Sequence, residues 1–198
     1  MITKAPHPAG YLPASGLSPV LTAYLEWNQL KLLYRQGWLQ RGLDPATTES
    51  VAEHTLGVAM LAMWLTETHA PDLDPSKVLR MALIHDLGEA FAGDLTPADG
   101  VEAGDKLARE RAGARRILHK LPNGETYLAL WEEYEAGTSG EARLVRQLDR
   151  LEMALQAVIY EHAAGRDLSE FLDSAEKVLA HSALAPLLHE LRTARPDA

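Results

Sequence analysis

Residues 75–91 read PSKVLRMALIHDLGEAF, and this stretch sets the structural class of the chain. Pro75 suits the first position of a helix, and apolar side chains fill most positions from 78 to 84. The pattern predicts a buried helix over residues 75–91. His85 and Asp86 stand side by side at the end of its apolar run, where polar groups need partners to be buried. The pair is therefore a candidate for binding or catalysis.

The same helical spacing of apolar residues recurs from Leu17 onward, without a convincing run of alternating or β-branched residues. We therefore predict an all-α fold, a single compact helical domain over residues 17–198. Residues 1–16 are rich in Pro, Gly and Ala and are predicted to form a flexible or loosely docked leader. The predicted helices cover residues 18–36, 51–69, 75–91, 104–120, 124–136, 141–164, 168–180 and 183–194.

Composition narrows the classes of function. The chain has 198 residues, enough for one sizeable core, and its formal net charge is -9 with no basic half, which argues against a nucleic-acid partner. It has no cysteine, which suits a reducing cytoplasm and leaves only His and carboxylates to hold a metal. The longest charge-free stretch, residues 5–25, is broken by prolines and glycines, so we expect neither a membrane helix nor a signal sequence.

Two other predicted helices also carry a polar residue on an apolar stripe. His54 shares its stripe with Val51 and Val58, and Asp149 is flanked by leucines such as Leu148. Taken alone, a buried histidine is more often bonded to a carbonyl, and a lone aspartate is more often solvated or paired with an arginine. The aspartate of a His-Asp doublet can likewise serve only to orient a histidine.

Considered together, these residues point to a metal site. His54, the His85-Asp86 pair and Asp149 come from three separate predicted helices. In a chain without cysteine, two imidazoles and two carboxylates suit a first-row divalent ion or zinc. Such a set leaves coordination positions for water and substrate, as a catalytic centre requires.

Four ordered stretches carry a resemblance to a known family. They are LKL at 30–32 with RQGW at 35–38, ESVAEH at 49–54, HDLGE at 85–89 with GDLTP at 93–97, and QLDRLEM at 147–153 with Gln156. In this order they resemble the HD-domain metal-dependent phosphohydrolases, and within them the 5'-deoxynucleotidases of the HD-domain-containing protein 2 and YfbR-like type. The likeness covers roughly residues 21–164.

The resemblance implies a fold, a metal and a reaction. The fold is all-α, and a divalent ion (Mn, Co, Mg or Zn) binds His54, His85, Asp86 and Asp149. The reaction is hydrolysis of deoxynucleoside 5'-monophosphates to deoxynucleoside and phosphate. The family also forms dimers, so we expect a homodimer.

Two further acidic residues are candidates for catalysis. Glu89 lies three residues after Asp86, on the same face of the predicted helix, and Asp94 follows where that helix ends. Glu89 taken alone would be an ordinary surface glutamate, but the resemblance places acidic residues at both positions in the active site. We hypothesise that the metal lowers the pKa of a water molecule and that Glu89 or Asp94 orients this water or takes its proton. Either carboxylate could instead hold a second metal ion.

The substrate phosphate needs a cation, and Arg35 is the best candidate because its planar guanidinium can contact two phosphate oxygens. The resemblance implies that an arginine here contacts substrate, although Lys31 and Arg41 compete for the role and Arg35 could be a surface residue. In YfbR-like members a tryptophan follows this arginine directly and crowds the ribose 2' position. Here Gln36 follows and Trp38 comes later, as in the other members, so Trp38 is a second candidate for substrate binding.

The sequence is also compatible with other functions. An HD enzyme of another kind could be a deoxynucleoside triphosphatase or a guanosine polyphosphate hydrolase. The second kind continues the doublet as HD-x-x-E-D, whereas Ala90 follows Glu89 here. A helical metal-binding module that senses a nucleotide without hydrolysing it is the alternative from a different class.

Two surfaces are also predicted from the later sequence. The mixed charges of residues 105–116 are typical of a solvated helix face, with a phosphate-attracting rim as the less favoured reading. Apolar residues of the late helices are expected to cover the core or a partner subunit. These residues are Phe171, Leu172, Val178, Leu179, Leu184, Leu187 and Leu188.

Overall fold

The computed structural model describes residues 1–11 and 16–196, and within them the regular structure is helical apart from two isolated β-bridges. This confirms the all-α prediction. None of the helices in the described ranges combines the length and the apolar character that a bilayer crossing requires. The α-helices are α1 (Pro19–Trp27), α2 (Gln36–Gln40), α3 (Val51–His69), α4 (Pro75–Ile84), α5 (Glu89–Ala92), α6 (Ala103–Leu118), α7 (Gly124–Ala136), α8 (Gly140–Ala164), α9 (Ser169–Leu179) and α10 (Ala185–Thr193).

The chain forms two compact units. The first contains Met1–Thr55 and Ile84–Ala136, and the second contains Leu56–Leu83 and Gly137–Ala198. Short 3-10 helices at Pro8–Gly10, Asn28–Lys31 and Pro97–Asp99 connect elements of the first unit.

The core of the first unit surrounds Trp131 of α7. The indole is fully buried, and its Nε1–H donates a hydrogen bond of 3.0 Å to the backbone carbonyl of His85. A core side chain therefore holds the peptide of the His-Asp doublet in place. The other buried members of this cluster are Ala23, Leu30, Leu33, Val51, Leu87, Ala90, Ala114, Ile117, Leu118 and Leu128.

In the second unit, α9 and α10 pack with the long helix α8. Ser139 caps the start of α8 by accepting a hydrogen bond from the N–H of Ala142 at 3.1 Å, and Gly165 ends the helix in the left-handed conformation. Most of the late-helix leucines named above cover the core rather than a free surface. The buried ones are Leu172, Leu179, Leu184 and Leu188.

The predicted helix over residues 18–36 is interrupted in the structure. Helix α1 ends at Trp27, and a 3-10 helix at Asn28–Lys31 follows it. The chain then becomes extended, with Leu33 bridging to Thr3 and Tyr34 bridging to Ser50. This pairing diverts backbone groups from helical hydrogen bonds, which sequence periodicity does not reveal. The extended segment carries Arg35 and leads directly into α2.

The first residues of the predicted leader are docked. The N–H of Lys4 donates to the carbonyl of Leu32 at 2.7 Å, and the N–H of Ile2 donates to Oε1 of Gln36 at 2.8 Å. These bonds hold the start of the chain against the rest of the first unit, which favours the docked alternative of that prediction over the flexible one. Residues 12–15 of that prediction lie outside the described residues.

The predicted helix over residues 75–91 is also divided. Helix α4 ends at Ile84, a turn carries residues 85–88, and Glu89 begins α5. The turn lies so close to α6 that a Cβ atom on Gly88 would overlap the carbonyl oxygen of Glu110, and one on Gly113 would overlap the carbonyl oxygen of Gly88. The break thus follows from a close backbone approach in the folded protein.

Replacing Gly113 by alanine is expected to lower the free energy of unfolding by about 1–3 kcal/mol, because the added methyl group forces two backbones apart. Urea unfolding followed by circular dichroism measures this change. Gly104→Ala on the same helix is the matched control, since a Cβ there meets no atom within 4 Å. Equal midpoints for the two variants would show that the close approach does not support the turn.

Candidate active site

The turn after α4 places an imidazole beside a carboxylate. The His85 ring is buried and stands edge-on to the Tyr134 ring, with centroids 5.4 Å apart. Nε2 of His85 lies 3.2 Å from Oδ2 of Asp86. Burial alone would raise the pKa of Asp86, but the charges of His85 and Arg35 and a hydrogen bond with His85 hold this pKa well below its usual range. Asp86 is therefore an anionic carboxylate.

His54 joins this pair from the first turn of α3. Its side chain is fully buried, and its ring centroid lies 5.6 Å from that of His85. One ring nitrogen of His54 and one of His85 lie within 4.8 Å of each other, and Nε2 of His54 is 3.7 Å from Oδ2 of Asp86. The structure thus brings together two imidazoles and one carboxylate of the predicted ligand set within the first unit.

Arg35 and Asp94 lie next to the same carboxylate. Nη1 of Arg35 is 3.3 Å from Oδ1 of Asp94 and 3.7 Å from Oδ2 of Asp86. The backbone N–H of Gln36, the first residue of α2, donates to Oδ2 of Asp94 at 2.6 Å. Arg35 is thus mostly buried between two acidic groups, and it is not a surface arginine. Its competitor Lys31 is directed elsewhere, with Nζ 5.1 Å from the centre of the Trp27 ring.

Glu89 reaches the site by a route that differs from the predicted one. It does not continue the helix that precedes His85, so Glu89 and Asp86 do not share the predicted helical face. A tight turn brings it close instead, with its N–H donating to the carbonyl of Asp86 at 3.0 Å. Burial and the negative charges of Asp86 and Asp94 raise the pKa of Glu89 well above its usual value, and Arg35 opposes this shift.

These residues fit a divalent cation. Oε2 of Glu89 is buried and has no hydrogen-bond partner within the ranges that the structure describes. A buried carboxylate oxygen without a hydrogen-bond donor lowers the stability of the fold. The negative charges of Asp86 and Asp94 also act on Glu89. Imidazole nitrogens and carboxylate oxygens are suitable ligands for Mn, Co, Mg or Zn. A bound cation would offset this negative charge.

Asp149 belongs to the second unit, where it lies on α8 and is buried. Nε of Arg150 is 3.7 Å from its Oδ2, which is the kind of local ion pair that the sequence leaves open for an isolated aspartate. Burial argues against the fully solvated reading. Its role as a metal ligand stays a prediction.

Trp38 is placed differently from the prediction. Its indole is buried in α2, and Nε1–H donates to Oε1 of Glu49 at 2.7 Å. A ring that is only 2% exposed has no free face to offer a nucleotide, so the structure does not support the predicted direct contact with substrate. Glu49 has a carboxylate oxygen within 4.8 Å of a ring nitrogen of His54. Trp38 therefore holds a carboxylate beside a candidate ligand.

Sequence reasoning missed two charged residues of α6. Within the charge run that was predicted to be solvated, Glu110 is buried, and Nζ of Lys106 lies 3.5 Å from its Oε1. Burial raises the pKa of Glu110 to about 7, against the lowering effect of Lys106. The sequence shows the spacing of four residues between Lys106 and Glu110. It does not show which side of this polar helix faces inward, because that depends on how α6 packs against the turn at residues 85–88.

Comparisons with known proteins identify the family. The HD domain family matches residues 27–186. A mouse (Mus musculus) protein named 5'-deoxynucleotidase HDDC2 is 37% identical over 190 residues, which cover 93% of this chain and 92% of the relative. The human (Homo sapiens) protein of that name is 38% identical over 174 residues, which cover 85% and 82%.

Solved structures of similar chains share the fold. A conserved hypothetical protein from Pyrococcus furiosus superposes with a TM-score of 0.74 at 33% identity, over 87% of this chain and 99% of that one. A structure described as a predicted metal-dependent phosphohydrolase from Magnetospirillum magnetotacticum MS-1 gives a TM-score of 0.65 at 31% identity, over 90% and 97%.

Proposed function

Because this chain belongs to the HD domain family, we propose that it is a metal-dependent 5'-deoxynucleotidase, which hydrolyses deoxynucleoside 5'-monophosphates to deoxynucleoside and phosphate. The observation that carries the proposal is the meeting of His54, His85 and Asp86 beside Arg35. This set combines ligands for a divalent ion with a cation that suits phosphate. Relatives that are named 5'-deoxynucleotidases and align over most of both chains support the substrate class.

The proposed first metal site consists of His54, His85, Asp86 and Asp149. The first three lie together in the first unit, and the fourth is inferred from the family pattern of H, HD and D along the sequence. A divalent ion bound there supplies Lewis acidity, which lowers the pKa of water and offsets phosphate charge. We propose Mn, Co, Mg or Zn for this ion. Glu89 and Asp94 would hold a second ion if the enzyme uses two.

Glu89 is the proposed general base. Its buried carboxylate oxygen Oε2 has no hydrogen-bond donor among the described residues and is available to accept the proton of an attacking water. Asp94 is held by the N–H of Gln36 and by Arg35, so its carboxylate is fixed in direction and suits the orientation of that water. The water oxygen forms a bond to phosphorus as the bond between phosphorus and the 5'-oxygen breaks. The 5'-oxygen takes a proton from solvent and leaves as the 5'-hydroxyl of the nucleoside, and Glu89 later releases its proton to solvent.

Arg35 is the proposed phosphate contact. Its guanidinium lies between the carboxylates of Asp86 and Asp94, so a phosphate bound beside the metal ligands would meet a planar cation. Trp38 contributes through Glu49 rather than through the nucleotide.

The net charge and the absence of cysteine indicate which ligands the protein binds and in which compartment it acts. The net charge of -9 favours a small nucleotide held by a few local cations over a nucleic-acid polymer. The absence of cysteine is compatible with a reducing compartment, and we propose the cytoplasm as the place of action.

A substrate and metal panel tests the function. The protein is expected to release phosphate from deoxynucleoside monophosphates, to lose this activity in EDTA, and to regain it when Mn, Co, Mg or Zn is added back. Ribonucleoside monophosphates, nucleoside triphosphates and a guanosine polyphosphate serve as competing substrates. Phosphate release only from triphosphates, or pyrophosphate release from the guanosine polyphosphate, would overturn the proposal. Nucleotide binding without turnover would favour the sensing module instead.

We also propose that the protein is a homodimer that pairs through α3. Leu56, Met63 and Trp64 are 59%, 54% and 58% exposed, and their spacing of seven and eight residues places them on one side of the helix. Exposed apolar side chains grouped on one helix mark an interaction surface, and a symmetric dimer covers such a stripe with its copy. The late helices were expected to cover the core or a partner subunit, and the burial of most of their leucines within the second unit favours the core.

Sedimentation of the purified protein checks the assembly. The wild type is expected at twice the chain mass of 21.7 kDa, and Trp64→Glu is expected at the mass of one chain. Val178→Glu, on the exposed side of α9, is the control and should leave the mass unchanged. A wild-type protein that sediments as a single chain at micromolar concentration would exclude the proposed dimer.

A further inference from the structure

Lys106 of α6 reaches the loop that carries Asp94. Its Nζ donates to the carbonyl oxygen of Leu95 at 3.0 Å and lies 3.5 Å from Oε1 of Glu110. Leu95 directly follows Asp94, so the bond to Lys106 restrains the backbone one residue beyond the candidate catalytic carboxylate. This lysine has no role in the mechanism given above.

The Asp94 loop is held from two sides. On one side, Gln36 and Arg35 fix the Asp94 carboxylate at 2.6 and 3.3 Å. On the other side, Lys106 fixes the peptide that follows it. A carboxylate that must point at a reacting water needs both its side chain and its backbone restrained, because free rotation of either would change its direction.

The same helix also supports the turn that carries the metal ligands. The Glu110 backbone approaches Gly88 so closely that no side chain fits between them. Lys106 lies one helical turn before Glu110, and its pairing with the Glu110 carboxylate directs it toward the loop. Helix α6 therefore contacts both segments that bring acidic residues to the site.

The charge of Lys106 also suits this position. Burial alone would lower the pKa of Lys106, but the carboxylates of Glu110, Glu89 and Asp94 raise it above its usual value. Lys106 therefore stays an ammonium group near acidic residues that repel one another. Its three N–H donors allow it to bond the carbonyl and the carboxylate at the same time.

We propose that Lys106 is a positioning residue that holds the loop of Asp94 in its working geometry through the carbonyl of Leu95. The inference rests on the proposed hydrolase function for its kinetic consequence and on geometry alone for its effect on the loop. The competing explanation is a simple ion pair between Lys106 and Glu110 on one helix, which would support the helix and leave catalysis unchanged.

Kinetic measurements test the proposal with a matched pair of variants. Lys106→Met is expected to lower kcat by about 10- to 100-fold with KM changed less than about threefold, because misplacement by about 1 Å has effects of this size. Lys106→Arg, which can still donate to the carbonyl, should recover most of the loss. Lys77→Met is the control, because Lys77 forms an ion pair of the same length, 3.5 Å, with Glu141. It should stay within about twofold of the wild type.

Hydrogen exchange of the metal-free protein gives a readout that does not depend on activity. In Lys106→Met, amides of residues 93–96 should exchange about tenfold faster, while amides of α7 stay unchanged. Unchanged exchange in this loop would overturn the proposal even if the protein hydrolyses no nucleotide. A tenfold rise in KM at unchanged kcat would also overturn it and make Lys106 a phosphate contact. If Lys106→Met does not fold, exchange in Lys106→Gln decides by the same criterion.

Discussion

Glu89→Gln is expected to lower kcat for a deoxynucleoside monophosphate by about 10²- to 10⁴-fold, the range attributed to a positioned general base. Glutamine keeps the size of the side chain but cannot accept the proton of the attacking water. The residue is suited to the task because Oε2 is buried and has no hydrogen-bond donor among the described residues. Steady-state kinetics with saturating metal measures the effect, and substrate KM should change little.

A control variant and a metal analysis make this prediction specific to Glu89. Glu132→Gln, on a partly exposed side chain of α7 that pairs with Arg111, should leave kcat within about twofold and controls for the loss of a carboxylate. Metal content measured after dialysis should fall in Glu89→Gln only if this residue holds an ion. A variant that retains more than about a fifth of wild-type kcat would exclude Glu89 as the base.

Asp149→Asn is expected to weaken binding of the first metal ion by at least about 100-fold and to remove activity at ordinary metal concentrations. Mutation of residues that hydrogen-bond to metal ligands typically lowers metal affinity 10- to 100-fold, and loss of a direct ligand should have a larger effect. Asparagine preserves the shape of the side chain while it removes the negative charge that balances the cation. Isothermal titration with Mn, together with metal analysis of the dialysed protein, measures the change.

The control for Asp149 is Asp173→Asn, an exposed carboxylate of α9 that pairs with Arg192. It should bind metal as the wild type does. An Asp149→Asn protein with full metal content and full kcat would show that α8 does not supply a ligand. The three residues of the first unit would then require a different fourth partner.

Local patterns predicted much of this structure. The stripe that contains His54 predicted α3 with its bounds of Val51–His69, and Pro75 marked the start of α4. The His85-Asp86 pair stood out because polar residues followed an apolar run, and the structure places His54 beside it. These features depend on residues close in sequence, where helical periodicity and capping preferences operate.

Features set by tertiary contacts were not predictable in this way. The break after Ile84 depends on the close approach between Gly88 and Gly113, which are 25 positions apart. The direction of Trp38 depends on its hydrogen bond with Glu49, and that of Lys106 on the carbonyl of Leu95. In each case the fold brings the partner close. The sequence around the residue is compatible with several side-chain directions or backbone conformations.

The hydrogen bond between Gln36 and Asp94 leaves the side chain of Gln36 available for a second task. Its donor is a main-chain N–H group, so every residue type except proline at position 36 retains it. The direction of the Asp94 carboxylate is therefore independent of which side chain follows Arg35. The Gln36 side chain has a separate task, because its Oε1 accepts from the N–H of Ile2 and its Nε2 donates to the carbonyls of Ile2 and Tyr34. One residue therefore fixes the acidic centre through its main chain and docks the start of the chain through its side chain.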